Sequence, residues 1–230
     1  LCIRAAEYAL RAEDSLLPGE VQLYIGIPFC PAKCSYCSFV SNDTARWGHM
    51  IEPYVQALLQ EVEAAGTMLR RGGIPLGSIY IGGGTPTTLN EDQLERLLTA
   101  VDAHFDRSAC REYTVEAGRP ETTTAEKLRI MARHGVSRIS INPQTMNDRV
   151  LQGVGRRHTA AGIVECYRTA RECGDFIVNM DLIAALPGET VDVFARSLEK
   201  VMALAPESVT VHALAIKRSS RLHEQLHVQE

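Results

Sequence analysis

The sequence predicts an α/β fold built on a parallel sheet. Three observations carry this. From Val21 onward, short apolar β-rich runs alternate with amphipathic stretches of helical period. Each intervening stretch is long enough for the crossover that parallel neighbours require. The runs read as buried on both faces, as strands flanked by helices are. Six runs separated by five helices fit either an open doubly wound sheet or a barrel. A chain of 230 residues is short for eight βα units, and a partial six-stranded barrel suits the count.

In chain order, residues 1–20 read as the end of a helix and a linker through Pro18-Gly19. The predicted strands are Leu23–Ile27, Ser78–Ile81, Tyr113–Glu116, Arg138–Asn142, Phe176–Ile183 and Ser208–Ala213. The predicted helices are Glu52–Arg71, Glu91–Phe105, Thr124–Arg133, Ala160–Glu172 and Val191–Leu204. Asn90, Thr123 and Thr190 precede helices as N-cap candidates, because a short oxygen side chain can accept from a free N–H of the first turn. Gly135 and Gly174 stand where helices should stop. Residues 21–222 are expected to form the core domain, and 223–230 a polar tail leading to a further domain.

Composition narrows the class. The chain is 45% hydrophobic, enough for one sizeable core. A formal net charge of −4, with no basic run longer than Arg156-Arg157-His158, argues against a nucleic-acid binder. No apolar stretch is long enough to span a membrane and no signal peptide is evident, so a soluble, cytoplasmic protein is expected. Of seven cysteines, Cys2, Cys110, Cys166 and Cys173 are expected to be buried small hydrophobes of a reducing compartment.

The other three, Cys30, Cys34 and Cys37, follow the first strand with spacing C-x3-C-x2-C. Three thiolates on one loop suit a 4Fe–4S cluster that keeps one iron free of protein ligands. An open iron is a place for a small molecule to bind and react. Zinc with His49 as fourth ligand, or plain thiols, are the alternatives. Tyr36 lies within the loop, where its ring could cover a bound group.

Functional groups of α/β barrels lie at the C-terminal ends of strands. The second predicted strand ends in Gly82-Gly83-Gly84-Thr85-Pro86-Thr87, either a tight turn or a backbone that a ligand approaches closely. The third ends at Glu116, a surface acid capping Arg119 or a buried carboxylate in need of a partner. After the fourth come Gln144 and Arg156, the latter either on a solvated basic turn or aimed at a carboxylate. Asp181, between apolar residues on the fifth strand, is either a satisfied core group or faces a ligand.

The loop Cys30-x3-Cys34-x-Tyr36-Cys37 matches the hallmark of the radical S-adenosylmethionine (SAM) superfamily, C-x3-C-x-aromatic-C. The runs Tyr-Ile-Gly-Ile-Pro-Phe-Cys, Gly-Gly-Gly-Thr-Pro-Thr, Val-Glu-Ala-Gly-Arg-Pro, Arg-Ile-Ser-Ile-Asn-Pro-Gln-Thr, Val-Gly-Arg-Arg-His and Asn-Met-Asp-Leu-Ile-Ala-Ala-Leu-Pro-Gly-Glu-Thr resemble its oxygen-independent coproporphyrinogen III dehydrogenase (oxidase) family. The run from Val211 to Leu222, with His212, resembles the HemZ-like branch. The similarity covers about residues 21–222.

The resemblance implies a partial (βα)6 TIM-like barrel of the radical SAM type, holding a 4Fe–4S cluster on Cys30, Cys34 and Cys37 and S-adenosyl-L-methionine on the open iron. Reductive cleavage of SAM would give a 5′-deoxyadenosyl radical. Tyr24 and Tyr36 would lie near SAM, with Tyr36 beside the adenine. Gly83, Gly84 and Thr85 would hold the methionine part. Glu116, Gln144, Arg156 and Asp181 match SAM-contacting positions, with Asp181 near the ribose and Arg156 near a carboxylate, and Ile183 would line the adenine. Phe39 stands where the classical dehydrogenase has a fourth cysteine, as in the haem-chaperone branch, and Gly26 stands where it has a histidine.

The implied reaction is oxidative decarboxylation of two propionates of coproporphyrinogen III to vinyl groups, giving protoporphyrinogen IX. The implied partners are a tetrapyrrole substrate and an electron donor for the cluster. Lys217, Arg218 and Arg221 are candidates for propionate binding or for a solvated basic turn. The alternatives are a haem-binding chaperone of the same family and a radical SAM methyltransferase acting on haem.

Overall fold

The computed structural model describes residues 18–227. The N-terminal helix and Cys2 expected before Leu17 lie outside them. Six parallel strands form the main sheet: β1 (Val21–Ile27), β4 (Leu76–Gly83), β5 (Glu112–Glu116), β6 (Arg138–Gln144), β7 (Ile177–Ala184) and β8 (Ser208–Ala213). A two-stranded parallel ribbon of β2 (Phe29–Cys30) and β3 (Asn42–Asp43) follows β1. The long crossover helices are α2 (Ile51–Gly72), α3 (Glu91–His104), α4 (Ala125–Arg133), α6 (Ala160–Cys173) and α7 (Val191–Ala203). Three shorter helices, α1 (Thr44–Trp47), α5 (Asp148–Gly153) and α8 (Arg221–His227), fall in segments where no helix was expected. Six residues or so give too few turns for the 3.6-residue period to show in sequence.

Spatial order separates the two architectures. The strands lie β1-β4-β5-β6-β7-β8, in chain order. A doubly wound sheet reverses direction at a switch point and places helices on both faces. Winding in one direction puts every crossover helix on one face and leaves the other as the wall of a lumen. The sheet is therefore a six-stranded partial barrel.

The helices begin as their chemistry dictates. Asn90 and Gln93 form a capping box at α3, with reciprocal bonds of 2.8 and 3.0 Å. Thr190 caps α7. At α4 the cap is Thr124, not Thr123. Thr123 is buried instead, its hydroxyl on the Arg119 carbonyl at 3.0 Å. The core between sheet and helices centres on Ile79, Ile81, Leu94, Leu97, Leu98, Leu128, Ile139 and Ile141, all fully buried.

The expectation that every strand is apolar on both faces fails. Arg138, Ser140 and Asn142 alternate along β6, Asn179 and Asp181 along β7, and all five border the lumen. The last three residues of β8, Val211, His212 and Ala213, are exposed as well. A lumen that receives a ligand needs polar groups, so the continuous apolar run gives way there to a period-2 alternation. Of the cysteines outside the loop, Cys166 is buried, while Cys110 and Cys173 are half-buried.

Candidate functional site

The C-terminal ends of the strands open into a cavity of ≈690 Å3, within the range of small-molecule sites of about 300–1,000 Å3. All thirteen residues expected to hold the cluster or SAM line it: the three loop cysteines, Tyr24 and Tyr36, Gly83, Gly84 and Thr85, Glu116, Gln144 and Arg156, Asp181 and Ile183.

The cysteine loop is a built turn. The β2–β3 pairing closes its base, and Asn42 donates from its side chain to the Pro28 carbonyl at 3.1 Å. Cys37 N–H donates to the Cys34 carbonyl at 3.2 Å, and Ser35 N–H to the Val154 carbonyl at 3.0 Å. Leu222 N–H donates to the Ser35 carbonyl at 2.8 Å, so the start of α8 docks on the loop and straddles the point where the tail was expected to begin. Cys30 and Cys34 are buried and Cys37 half-buried. Burial raises the Cys37 thiol pKa above its ordinary value. Thr85 donates from its hydroxyl to Cys30 Sγ at 3.4 Å.

Among the described residues, no three His, Cys, Asp or Glu side chains converge as ligands of one metal ion. Three thiolates each bound to a different iron of a cluster need no such convergence. His49 is exposed and stacks on Trp47 at 6.1 Å rather than joining the loop.

The glycine run has steric reasons. Gly83 has φ +108°, a conformation that L side chains rarely adopt. At Gly84 a Cβ would come within 2.6 Å of the Phe29 carbonyl oxygen, so only glycine lets this strand end meet the base of the cysteine loop.

Glu116 does not cap Arg119. Its carboxylate accepts from the Tyr80 hydroxyl at 2.6 Å. Burial raises its pKa, the Tyr80 bond opposes that, and the nearby Asp181 charge adds to it. Asp181 accepts from Asn179 Nδ2 at 2.6 Å and keeps its cavity face.

Arg156 is not on a solvated turn; it is buried, whereas Arg157 beside it is exposed. Its Nη1 donates to the Gly118 and Asn142 carbonyls at 3.0 and 2.9 Å. Its Nε and Nη2 donate to the Tyr36 hydroxyl at 3.3 and 3.2 Å. Burial opposes its charge, but attraction to Tyr36 and Cys34 outweighs burial and raises its pKa. Burial pushes the Tyr36 hydroxyl up to about 12 despite Arg156. The Tyr36 ring packs with Ile183, Val150, Val154 and Leu186 in a satellite apolar cluster.

Gln144 has φ +68° at a register shift of β6, and its Oε1 is buried with no hydrogen-bond partner. Strain and an unmet acceptor at one cavity residue mark a ligand contact. Lys217 and His212 reach the cavity wall, whereas Arg218 and Arg221 are outside it. Gly26 lies under Tyr24, whose ring a Cβ would meet at 3.3 Å, and its carbonyl accepts from the Tyr54 hydroxyl. Phe39 is exposed at the rim.

Sequence reasoning passed over Tyr80, Ser140, Asn142, Asn179 and Arg119. Polar alternation on β6 and β7 was a signal for three of them. Arg119 gave none, because a loop arginine reads as solvated until its neighbours are known.

A profile of the radical SAM superfamily matches residues 24–201. The chain is 41% identical to the oxygen-independent coproporphyrinogen-III oxidase-like protein HemZ of Bacillus subtilis, over 90% of this chain and 42% of that protein. It is 34% identical to the heme chaperone HemW of Lactococcus lactis, over 84% of this chain and 49% of that protein. The fold matches Escherichia coli coproporphyrinogen III oxidase (HemN), a radical SAM enzyme, with a TM-score of 0.77 at 28% identity, over 92% of this chain and 53% of that one. The chain thus spans about half the length of these relatives or less. A partial barrel wound in chain order, a three-cysteine loop at its mouth and these similarities together place the chain in the radical SAM superfamily, among the coproporphyrinogen III oxidase-like proteins.

Proposed function

We propose that this chain is the core of an oxidoreductase that converts propionate side chains of coproporphyrinogen III to vinyl groups. The observation that carries it is the convergence of Cys30, Cys34, Cys37, Gln144, Arg156 and Asp181 on one cavity. Radical SAM proteins bind a 4Fe–4S cluster and SAM. The residues present fit both groups. Three thiols share one wall, a buried amide oxygen of Gln144 waits for a donor, and Gly83 with Gly84 brings bare backbone to the cavity. When bound, cluster and SAM supply one-electron chemistry able to break an unactivated C–H bond, which no acid or base side chain does.

The chain's own residues then bind, orient and exclude water. In this reading Cys30, Cys34 and Cys37 hold the cluster. Gly83, Gly84, Thr85 and Glu116 receive the methionine part of SAM, Asp181 meets the ribose hydroxyls, and Ile183 with Tyr36 lines the base. Arg156 fixes the Tyr36 ring and keeps a fixed positive charge beside the site. Tyr24, 62% exposed and stacked on Tyr80 at 6.0 Å, stands at the mouth, where an aromatic face can meet a flat substrate. Lys217 at the wall pairs with a propionate carboxylate. Each propionate would give up a β-hydrogen atom to the radical that bound SAM supplies, then carbon dioxide and, to an external electron acceptor, one electron, leaving a vinyl group.

A haem-chaperone role is the second reading. It is favoured by Phe39 in place of a fourth cysteine and by the similarity to HemW. An anaerobic assay of the reconstituted full-length protein decides between them. It uses dithionite, SAM and coproporphyrinogen III, with porphyrins and 5′-deoxyadenosine followed by chromatography. Protoporphyrinogen formed in step with 5′-deoxyadenosine is the expected result. Tight haem binding with no SAM cleavage would favour the chaperone.

A further inference from the structure

Arg119 follows β5 and is buried, yet the reaction outlined above gives it no task. Its Nη2 donates to Cys34 Sγ at 3.0 Å and to the Ala32 carbonyl at 2.9 Å. Its Nη1 is buried with no hydrogen-bond partner and lies 3.7 Å from Glu121 Oε1. The other Glu121 oxygen meets His158 Nδ1 at 3.0 Å. That carboxylate therefore sits behind the guanidinium and leaves its Nη2 edge facing the cysteine loop.

A buried cation is costly unless paired. Glu121 pairs with the Nη1 edge at 3.7 Å, and at the Nη2 edge Ala32 offers only a neutral carbonyl. The nearest group able to carry negative charge in front of Arg119 is the Cys34 sulfur. A thiolate that binds iron is such a group, and hydrogen bonds to cluster sulfurs are one determinant of cluster potential. Adding one electron to a cluster makes it more negative by one unit. A fixed N–H donor and positive charge at one of its thiolates then favour the reduced form.

We propose that Arg119 is a positioning residue that hydrogen-bonds the Cys34 thiolate of the bound cluster and raises the cluster's reduction potential. The proposal rests on the assignment of the cluster to Cys30, Cys34 and Cys37.

The test is a potentiometric titration, monitored by EPR, of the anaerobically reconstituted protein and its Arg119→Gln and Arg119→Lys variants. Iron and sulfide contents are measured first. With equal contents, Arg119→Gln is expected to shift the one-electron equilibrium toward the oxidised form by about tenfold, or about 59 mV more negative. Arg119→Lys keeps the charge but loses the planar fork, so its shift is smaller. In D2O, pulsed EPR of the reduced wild-type cluster should show an exchangeable deuteron that Arg119→Gln lacks. Equal potentials in the loaded proteins would overturn the proposal. So would an unchanged potential with weakened SAM binding, which would make Arg119 a ligand contact. Where Arg119→Gln fails to load iron, Arg119→Lys carries the same comparison. Failure of the wild-type protein to load iron and sulfide would overturn the cluster assignment itself, so the two failures are distinguishable.

Discussion

Arg156→Lys is a conservative change in charge and a severe one in geometry. The guanidinium joins three segments: Tyr36 of the cysteine loop, Gly118 after β5 and Asn142 on β6. A lysine ammonium is a single point with three donors and cannot reach both the Tyr36 hydroxyl and the two carbonyls. At least two of the four bonds go. Each bond to a charged donor is worth about 1.5–3 kcal/mol, and part of the loss is recovered by relaxation, so the cost is about 2–4 kcal/mol. For a domain of this size that lowers Tm by roughly 4–16 °C. The assay is thermal unfolding of the cluster-free protein followed by circular dichroism, with exposed Arg157→Lys as control, expected within about 0.5 kcal/mol of wild type. A loss below about 1 kcal/mol for Arg156→Lys would refute the view that this side chain ties the loop to the barrel.

Other expectations follow from the same geometry. Gly83→Ala forces a side chain into φ +108°; it should cost about 1–3 kcal/mol and weaken SAM binding, as calorimetry would show. Glu116 is held above its ordinary pKa chiefly by burial. In the unfolded chain it ionises at lower pH, so its charge penalises the folded state increasingly as pH rises above 4.5. Glu116→Gln should therefore raise the Tm of the ligand-free protein at pH 7, with the gain shrinking toward pH 4.5. A Tm difference that grows on acidification would contradict this. Lys127 Nζ binds the Thr87 and Thr122 carbonyls at 2.8 and 3.0 Å and so ties together the loops after β4 and β5. Lys127→Met should destabilise by about 2–4 kcal/mol, read by urea denaturation. Cys34→Ala should abolish loading of iron and sulfide, while Cys110→Ala should leave both unchanged.

The sequence by itself determined the order of the six main strands and five long helices, and it marked the candidate positions that the cavity brings together. The six strands show in short β-rich runs because the face each turns to the helices is apolar, even where the lumen face is polar. The cysteine loop and Asp181 stood out because their spacing, or polarity in an apolar setting, is local information, whereas Gly83 and Arg156 stood out only through the family resemblance. The choice of a barrel over a doubly wound sheet is not local: it lies in the order of strand pairing, which sequence pattern does not encode. Partnership is likewise tertiary. Glu116 stands three residues from Arg119 but bonds Tyr80, from the neighbouring strand. Arg119 instead crosses to Cys34, 85 residues earlier in the chain. A side chain's charge is written in the sequence, whereas what neutralises it depends on which strand ends meet in space.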